Sequence, residues 1–171
     1  MRIALCNQPE IALAQEWFGQ IDTWFEHHGT AGPDPFDIKA HPLMRRVQRH
    51  KWPRRCATLV CDLFPRTTRR LLRIAPTENP KTHALLALGG LRLFQVTQDE
   101  YWLDGARKHL DWLMAHPSQG HAGLCWGYPF DVTGQGLHTP AGTPVAVVSA
   151  IAGEAFALAH ELRGRGEDLE A

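Results

Sequence analysis

Apolar residues recur at three- and four-residue steps over most of the chain, and that spacing predicts helices rather than strands. Ile11, Leu13, Ala14, Trp17, Phe18, Ile21, Trp24 and Phe25 mark an amphipathic helix from about Pro9 to His28, ended by Gly29. A Gly- and Pro-rich loop follows, and a short helix is predicted from Pro42 to His50, with Pro53 as its breaker. Arg54 to Ile74 carries Ala57, Leu59, Val60, Leu63, Phe64, Leu71 and Leu72, with Pro65 inside it. A kink or a pair of helices is expected there. Arg66, Arg69, Arg70 and Arg73 share one face of this stretch, and the default for such a face is solvated surface.

Thr77-Glu78-Asn79-Pro80 reads as a helix start, and the helix runs to about Val96 on Leu85, Leu86, Leu88, Leu91, Leu93 and Phe94. Gly89-Gly90 in its middle costs roughly 1 kcal/mol per glycine relative to alanine, which predicts close approach by a neighbouring helix. Thr97-Gln98-Asp99 then links to a helix carrying Leu103, Ala106, Leu110, Leu113 and Met114. So short a link makes the two helices antiparallel neighbours. Residues 117–142 lose the helical period and are rich in Gly, Pro and aromatics. Loops of that length are uncommon in compact domains unless functional or disordered, and the aromatics speak against disorder. Thr143-Pro144 opens a last helix with Val148, Ile151, Ala152, Ala155, Ala159 and Leu162 on its stripe, ended by Gly164. No strand pair is predicted. The fold class is all-α, a single domain over 1–171 made of antiparallel helical hairpins.

Charge and composition narrow the function by exclusion. Lys+Arg and Asp+Glu are 18 each, so no basic excess points to nucleic acid as a partner. Cys6, Cys56, Cys61 and Cys125 form no C-x-x-C pair, and the apolar start at Ile3 to Cys6 is shorter than a signal h-region. No run approaches the ~20 apolar residues of a membrane span. A cytoplasmic protein with reduced thiols is the expectation. The histidines form no H-E-x-x-H and no Cys/His pair has zinc-finger spacing, so no metal is expected. Neither phosphate-binding glycine motif is present, so no cofactor is expected either.

Candidate chemistry concentrates in the long loop. Trp126, Tyr128 and Phe130 alternate around Gly127 and Pro129, with Asp131 after them. Alternate residues of an extended segment share a face, so three rings can line a wall with a carboxylate at its lip. Such a wall suits sugar rings, whose C–H faces pack on π surfaces while their hydroxyls seek carboxylates. The plainer alternative is an aromatic plug at the end of a helical bundle. Asp37, within Asp34-Pro35-Phe36-Asp37-Ile38-Lys39, is either a general base, a hydroxyl acceptor or ordinary turn and cap chemistry. Glu78 stands at a helix start, where capping or a dipole interaction is the default. Glu154 needs a partner if it is buried and means nothing if it faces water. For Cys125 a buried structural thiol is preferred to a nucleophile.

Glu78-Asn79-Pro80-Lys81, Tyr101-Trp102-Leu103, Leu110-Asp111-Trp112-Leu113, the run Cys125 to Asp131 and Pro140-Ala141-Gly142-Thr143-Pro144 occur here in an order with a family likeness. The chain resembles bacterial (α/α)-toroid proteins associated with polysaccharide biosynthesis, relatives of the six-hairpin glycosidase-like superfamily. The likeness is best from about Glu78 onward. It implies a barrel of helical hairpins framing a glycan cleft, with Trp126, Tyr128 and Asp131 as site residues and Asp37 and Glu78 as weaker members. A full toroid has about twelve helices against the six or so predicted here, so the resemblance implies a partial ring or a homo-oligomer that completes it. Val132-Thr133-Gly134-Gln135-Gly136 departs from the family pattern and bears on how complete the site is.

Two function classes follow. The first is a glycan-acting or glycan-binding protein whose partner is a carbohydrate or polysaccharide precursor. If it is an enzyme it is glycosidase-like, with Asp131 paired with Asp37 or Glu78 as catalytic carboxylates. The second is a non-catalytic helical-repeat scaffold for protein partners, with Trp126 and Tyr128 packed inside and an apolar groove exposed along the helices.

Overall fold

In the computed structural model of the protein the described residues are 8–34, 36–47, 50–134 and 137–169. The expectations placed on Met1–Asn7 (Cys6 among them), Pro35, Gln48-Arg49 and Gln135-Gly136 lie outside them. The described chain is all-α, with eight helices and one two-stranded ribbon.

The centre is a three-helix unit. Helices α6 (Pro80–Thr97) and α7 (Glu100–Ala115) form the expected antiparallel hairpin, and α8 (Ala146–Leu169) packs across it. Both hairpin helices start on side-chain caps: Asn79 accepts from the Lys81 N–H at 3.0 Å and Asp99 from the Tyr101 N–H at 3.1 Å. Pro80 sits in the first turn of α6, where a missing N–H costs nothing. Leu91, Ala87, Ala106, Leu110, Ala155 and Leu158 close one part of the core. Ala84, Leu113, Trp126, Val148 and Ala152 close the other.

The glycine pair of α6 serves two neighbours at once. A Cβ on Gly89 would stand 2.3 Å from the Phe18 ring, and one on Gly90 would stand 2.8 Å from the Trp102 carbonyl oxygen. Gly89 therefore admits α1 (Gln8–His28) and Gly90 lets the α7 backbone come close. The docking of α1 is completed by Phe18 set edge-on to Trp102, centroids 5.8 Å apart, and by the Tyr101 hydroxyl donating to Asp22 at 2.7 Å.

A smaller lobe joins α1 to α6. It holds α2 (Asp37–Ala40), α3 (Pro42–Val47), α4 (Lys51–Leu63) and α5 (Pro65–Leu72) around Ile38, Met44 and Cys61. Pro65 opens a new helix here, the two-helix outcome of the sequence reading. A paired backbone bridge between Gly32 and Thr77 ties the lobe to the start of α6.

Three expectations are corrected. Pro53 does not break a helix but lies in the first turn of α4. Gly164 does not end α8, which continues to Leu169. The segment 117–142 is not free of strands: β1 (Val132–Gly134) pairs antiparallel with β2 (Leu137–Thr139), with Val132 opposite Thr139. Strands of three residues are too short to show an alternation, and the chain on either side of this ribbon is tied together by backbone bonds. The Val145 N–H donates to the Trp126 carbonyl at 2.9 Å, and the Gly142 N–H to that of Tyr128 at 2.8 Å. A Cβ on Gly127 would fall 1.9 Å from the Thr143 carbonyl oxygen, so only glycine fits that crossing. Cys56, Cys61 and Cys125 are free thiols. No helix among the described residues is long and apolar enough to cross a membrane.

Candidate functional site

The last turn of α7 and the start of α6 assemble a column of rings. His83 lies flat on Trp112, with centroids 3.8 Å apart and planes 2° apart, and His116 lies on Trp112 at 4.2 Å and 18°. Two rings this near the same indole cannot share a face without overlapping each other. Trp112 is therefore sandwiched, with its edge left for other work. Its Nε1–H donates to Glu78 Oε2 at 2.8 Å, and the Thr30 hydroxyl donates to Glu78 Oε1 at 2.8 Å. Glu78 does not cap α6, as the default reading had it; Asn79 does. This frees Glu78 to turn outward.

Those hydrogen bonds fix the charge of Glu78. The Thr30 hydroxyl holds its carboxyl below the usual glutamate value, partial burial opposes this, and the Trp112 N–H and, where they are protonated, the His83 and His116 rings add to the lowering. A carboxylate offers about four lone-pair sites, so two donors leave acceptor capacity for a ligand. Glu78 then borders a cleft of about 410 Å³ with Trp112, His116, Tyr128, Pro129 and Gly142. Glu78 is the one carboxylate among the described residues lining it. His116 is exposed and donates Nδ1–H to the Trp112 carbonyl at 2.8 Å, so in the neutral ring the lone pair is on Nε2.

Beneath the column, His83 is 3% exposed and shares a 3.1 Å hydrogen bond between its Nδ1 and that of His109. Burial first, and then the neighbouring His109, push its pKa down to about 4, despite the opposing pull of Glu78. His109 is also lowered by burial, with Asp22 opposing. Both rings are neutral near pH 7.

The residues singled out in the sequence separate. Glu78 and Tyr128 meet at the cleft, and Phe130 stacks on Tyr128 at 5.6 Å and 18°. Trp126 is 2% exposed, donates Nε1–H to the Leu113 carbonyl at 2.9 Å and packs near Phe156, which leaves no open face. Asp131 accepts the Ala141 N–H at 3.0 Å beside His138, bracing the ribbon rather than bordering the cleft. Asp37 is buried in the small lobe against Arg69, at 3.0 Å, and also accepts the Asp34 N–H. Glu154 faces outward and pairs with Arg92 at 3.1 Å.

His83, Trp112 and His116 were not anticipated as site residues. A signal existed: Trp112 and His116 are four apart at a helix end, and Glu78 precedes an N-cap already filled by Asn79. The stacking of His83 depends on the pairing of α6 with α7 and has no local trace. Comparison of the chain with family models, curated proteins and solved structures finds no match.

Proposed function

We propose that the chain is a carbohydrate-binding protein of polysaccharide metabolism, with the cleft of Glu78, His116 and Tyr128 as its sugar site. One observation carries the reading: a carboxylate held ionised by Thr30 and Trp112 stands beside the exposed His116 ring and the half-buried Tyr128 ring. Sugar hydroxyls donate to the carboxylate while ring C–H groups pack on the aromatic edges. The resemblance to (α/α)-toroid proteins supports a glycan as the ligand class. Acid/base hydrolysis needs two carboxylates flanking the bond, and one lines this cleft among the described residues, so the reading is binding rather than cleavage. A glycan-binding screen of the wild type against Glu78→Gln and Tyr128→Ala tests it. Loss of the bound glycan in both variants is expected. Equal binding by all three proteins sinks the reading.

A second reading, a helical scaffold with a protein partner, is favoured by α1. None of its described residues is buried, and Leu13, Trp17, Ile21 and Trp24 form an outward stripe, with Trp17 62% and Trp24 52% exposed. The spacing of that stripe is nearly the same read from either end, so two copies laid antiparallel bring like positions together, as a two-fold interface requires. The occupant assigned to it is a second copy of this chain. Trp17→Glu then converts a dimer to a monomer in light scattering; a wild type that is already monomeric at high concentration removes this reading.

A further inference from the structure

The segment before α2 and the last turns of α5 enclose a second cleft, of about 300 Å³, bordered by Arg66, Arg69, Arg70, Arg73 and Asp37. Arg66, Arg69 and Arg70 are spaced three and four apart from the first and share one face of α5, and Arg73, just past its last turn, borders the same cleft. Arg69 is committed: its Nε and Nη2 reach the two Asp37 oxygens at 3.2 and 3.0 Å, and Nη2 donates to the Asp34 carbonyl at 2.6 Å. Arg66, Arg70 and Arg73 are exposed and have no carboxylate partner among the described residues. The Asp34 carboxylate is turned away, to the Phe36 N–H and the Asn79 side chain. A chain with equal numbers of acidic and basic residues thus concentrates an unbalanced positive charge in one concavity.

The backbone adds a second observation. Arg73 follows the last turn of α5 at φ 53°, the left-handed position where glycine is the default. The Ile74 N–H returns to the Arg69 carbonyl at 3.0 Å and closes the turn. A side-chain-bearing residue in that conformation is costly, and here the residue is an arginine bordering the cleft. We propose that this cleft binds a small phosphate-bearing ligand through Arg66, Arg70 and Arg73, with the Asp37–Arg69 pair as its fixed floor. Guanidinium forks match phosphate oxygens two at a time, and the cationic surplus suits a group carrying more than one negative charge. A nucleic-acid track would need phosphate contacts spread along a longer surface, and the neutral chain offers no such excess. The site is independent of the sugar cleft. Pro76 borders the arginines and Thr77 borders Glu78, on opposite sides of one extended segment.

Calorimetric titration of the full chain with inorganic pyrophosphate at low ionic strength tests the assignment. One-to-one binding is expected, weakened about tenfold or more by Arg70→Gln and by Arg73→Gln, and unchanged by Arg107→Gln, whose side chain pairs with Asp104 on α7. Arg73→Gly separates binding from folding: the melting temperature holds or rises while pyrophosphate affinity falls. Undiminished binding in the Arg70→Gln, Arg73→Gln double variant overturns the proposal. So does a thermal shift reproduced by sodium chloride of equal ionic strength, or oligonucleotide binding that strengthens with strand length beyond the affinity for pyrophosphate.

Discussion

His83 lies face to face with Trp112, 3.8 Å between centroids and 2° between planes, and so supports from below the indole that holds Glu78 in place. A buried imidazole thus stands one ring away from the carboxylate of the sugar cleft. The column joins the stability of the α6–α7 hairpin to the order of the site.

That burial makes stability depend on pH. The folded-state pKa of His83 is about 4, against an ordinary 6.5. A histidine lowered in the fold leaves the unfolded chain binding more protons, so its share of stability is full above 6.5 and is lost as pH falls toward 4. The gap corresponds to a loss on the order of 3 kcal/mol. The depressed carboxyl of Glu78 acts in the next window down, since stability from it is present above 4.5 and falls away below that. Urea unfolding at a series of pH values should show a decline between 6.5 and 4. His83→Phe, which retains a ring against Trp112, should flatten the decline; an unchanged slope would place its cause elsewhere.

The tautomer of His83 follows from its partners. Its Nε2 is buried with no hydrogen bond among the described residues, and its Nδ1 faces the Nδ1 of His109 at 3.1 Å. An unpaired buried N–H costs more than an unpaired lone pair, so His83 carries its proton on Nδ1 and donates to His109. Nitrogen-15 NMR at neutral pH should find a protonated Nδ1 in His83 and an unprotonated Nδ1 in His109. The reverse pattern would require a partner for Nε2.

The hairpin of α6 and α7, the docking surface at Gly89-Gly90 and the break at Pro65 were legible because each rests on local spacing or on a residue with one strong backbone effect. The ribbon of β1 and β2 was not legible. Its strands are three residues long, and the segments on either side of it are tied by bonds from Val145 and Gly142 to Trp126 and Tyr128. Within the site, Tyr128 and Glu78 could be read as polar or aromatic residues in loops and at a helix start. The role of Glu78 could not, because Thr30 and Trp112 are 48 and 34 residues away in sequence. Trp126 shows the opposite difficulty: the same W-G-Y-P-F-D pattern suits a wall or a plug, and only the Leu113 carbonyl beside its Nε1 separates them.

The glycines divide into two groups by what a methyl would meet. Gly90→Ala would press on the Trp102 carbonyl and Gly127→Ala on that of Thr143, backbone atoms that cannot swing aside. Each should destabilise by about 2 kcal/mol or more. Gly105 in α7 and Gly153 in α8 have open space at the Cβ position, so alanine there should stabilise by roughly 1 kcal/mol through helix propensity. Thermal melts of the four variants check both signs. A stabilising Gly127→Ala would mean that Gly127 does not pass close to the Thr143 carbonyl as described.

Trp126 and Tyr128 are two residues apart yet should fail in different ways. Trp126 belongs to the core cluster with Leu113, Val148 and Ala152, and its N–H occupies a buried carbonyl. Trp126→Ala should cost about 3–5 kcal/mol by removing a buried ring and opening a cavity. Tyr128 is half-buried, borders the cleft and stacks on Phe130, so its truncation removes less core. Tyr128→Ala should lower stability by about 1–2 kcal/mol and abolish glycan binding in protein that remains folded. Trp126→Phe then decides what the core ring contributes: it keeps most of the packing while losing the bond to Leu113. Measured at a temperature where it is fully folded, Trp126→Phe should bind glycan as the wild type does. Specific loss of binding in folded Trp126→Phe, with Tyr128→Ala unaffected, would move the sugar site from the Glu78 cleft to the other end of the aromatic run.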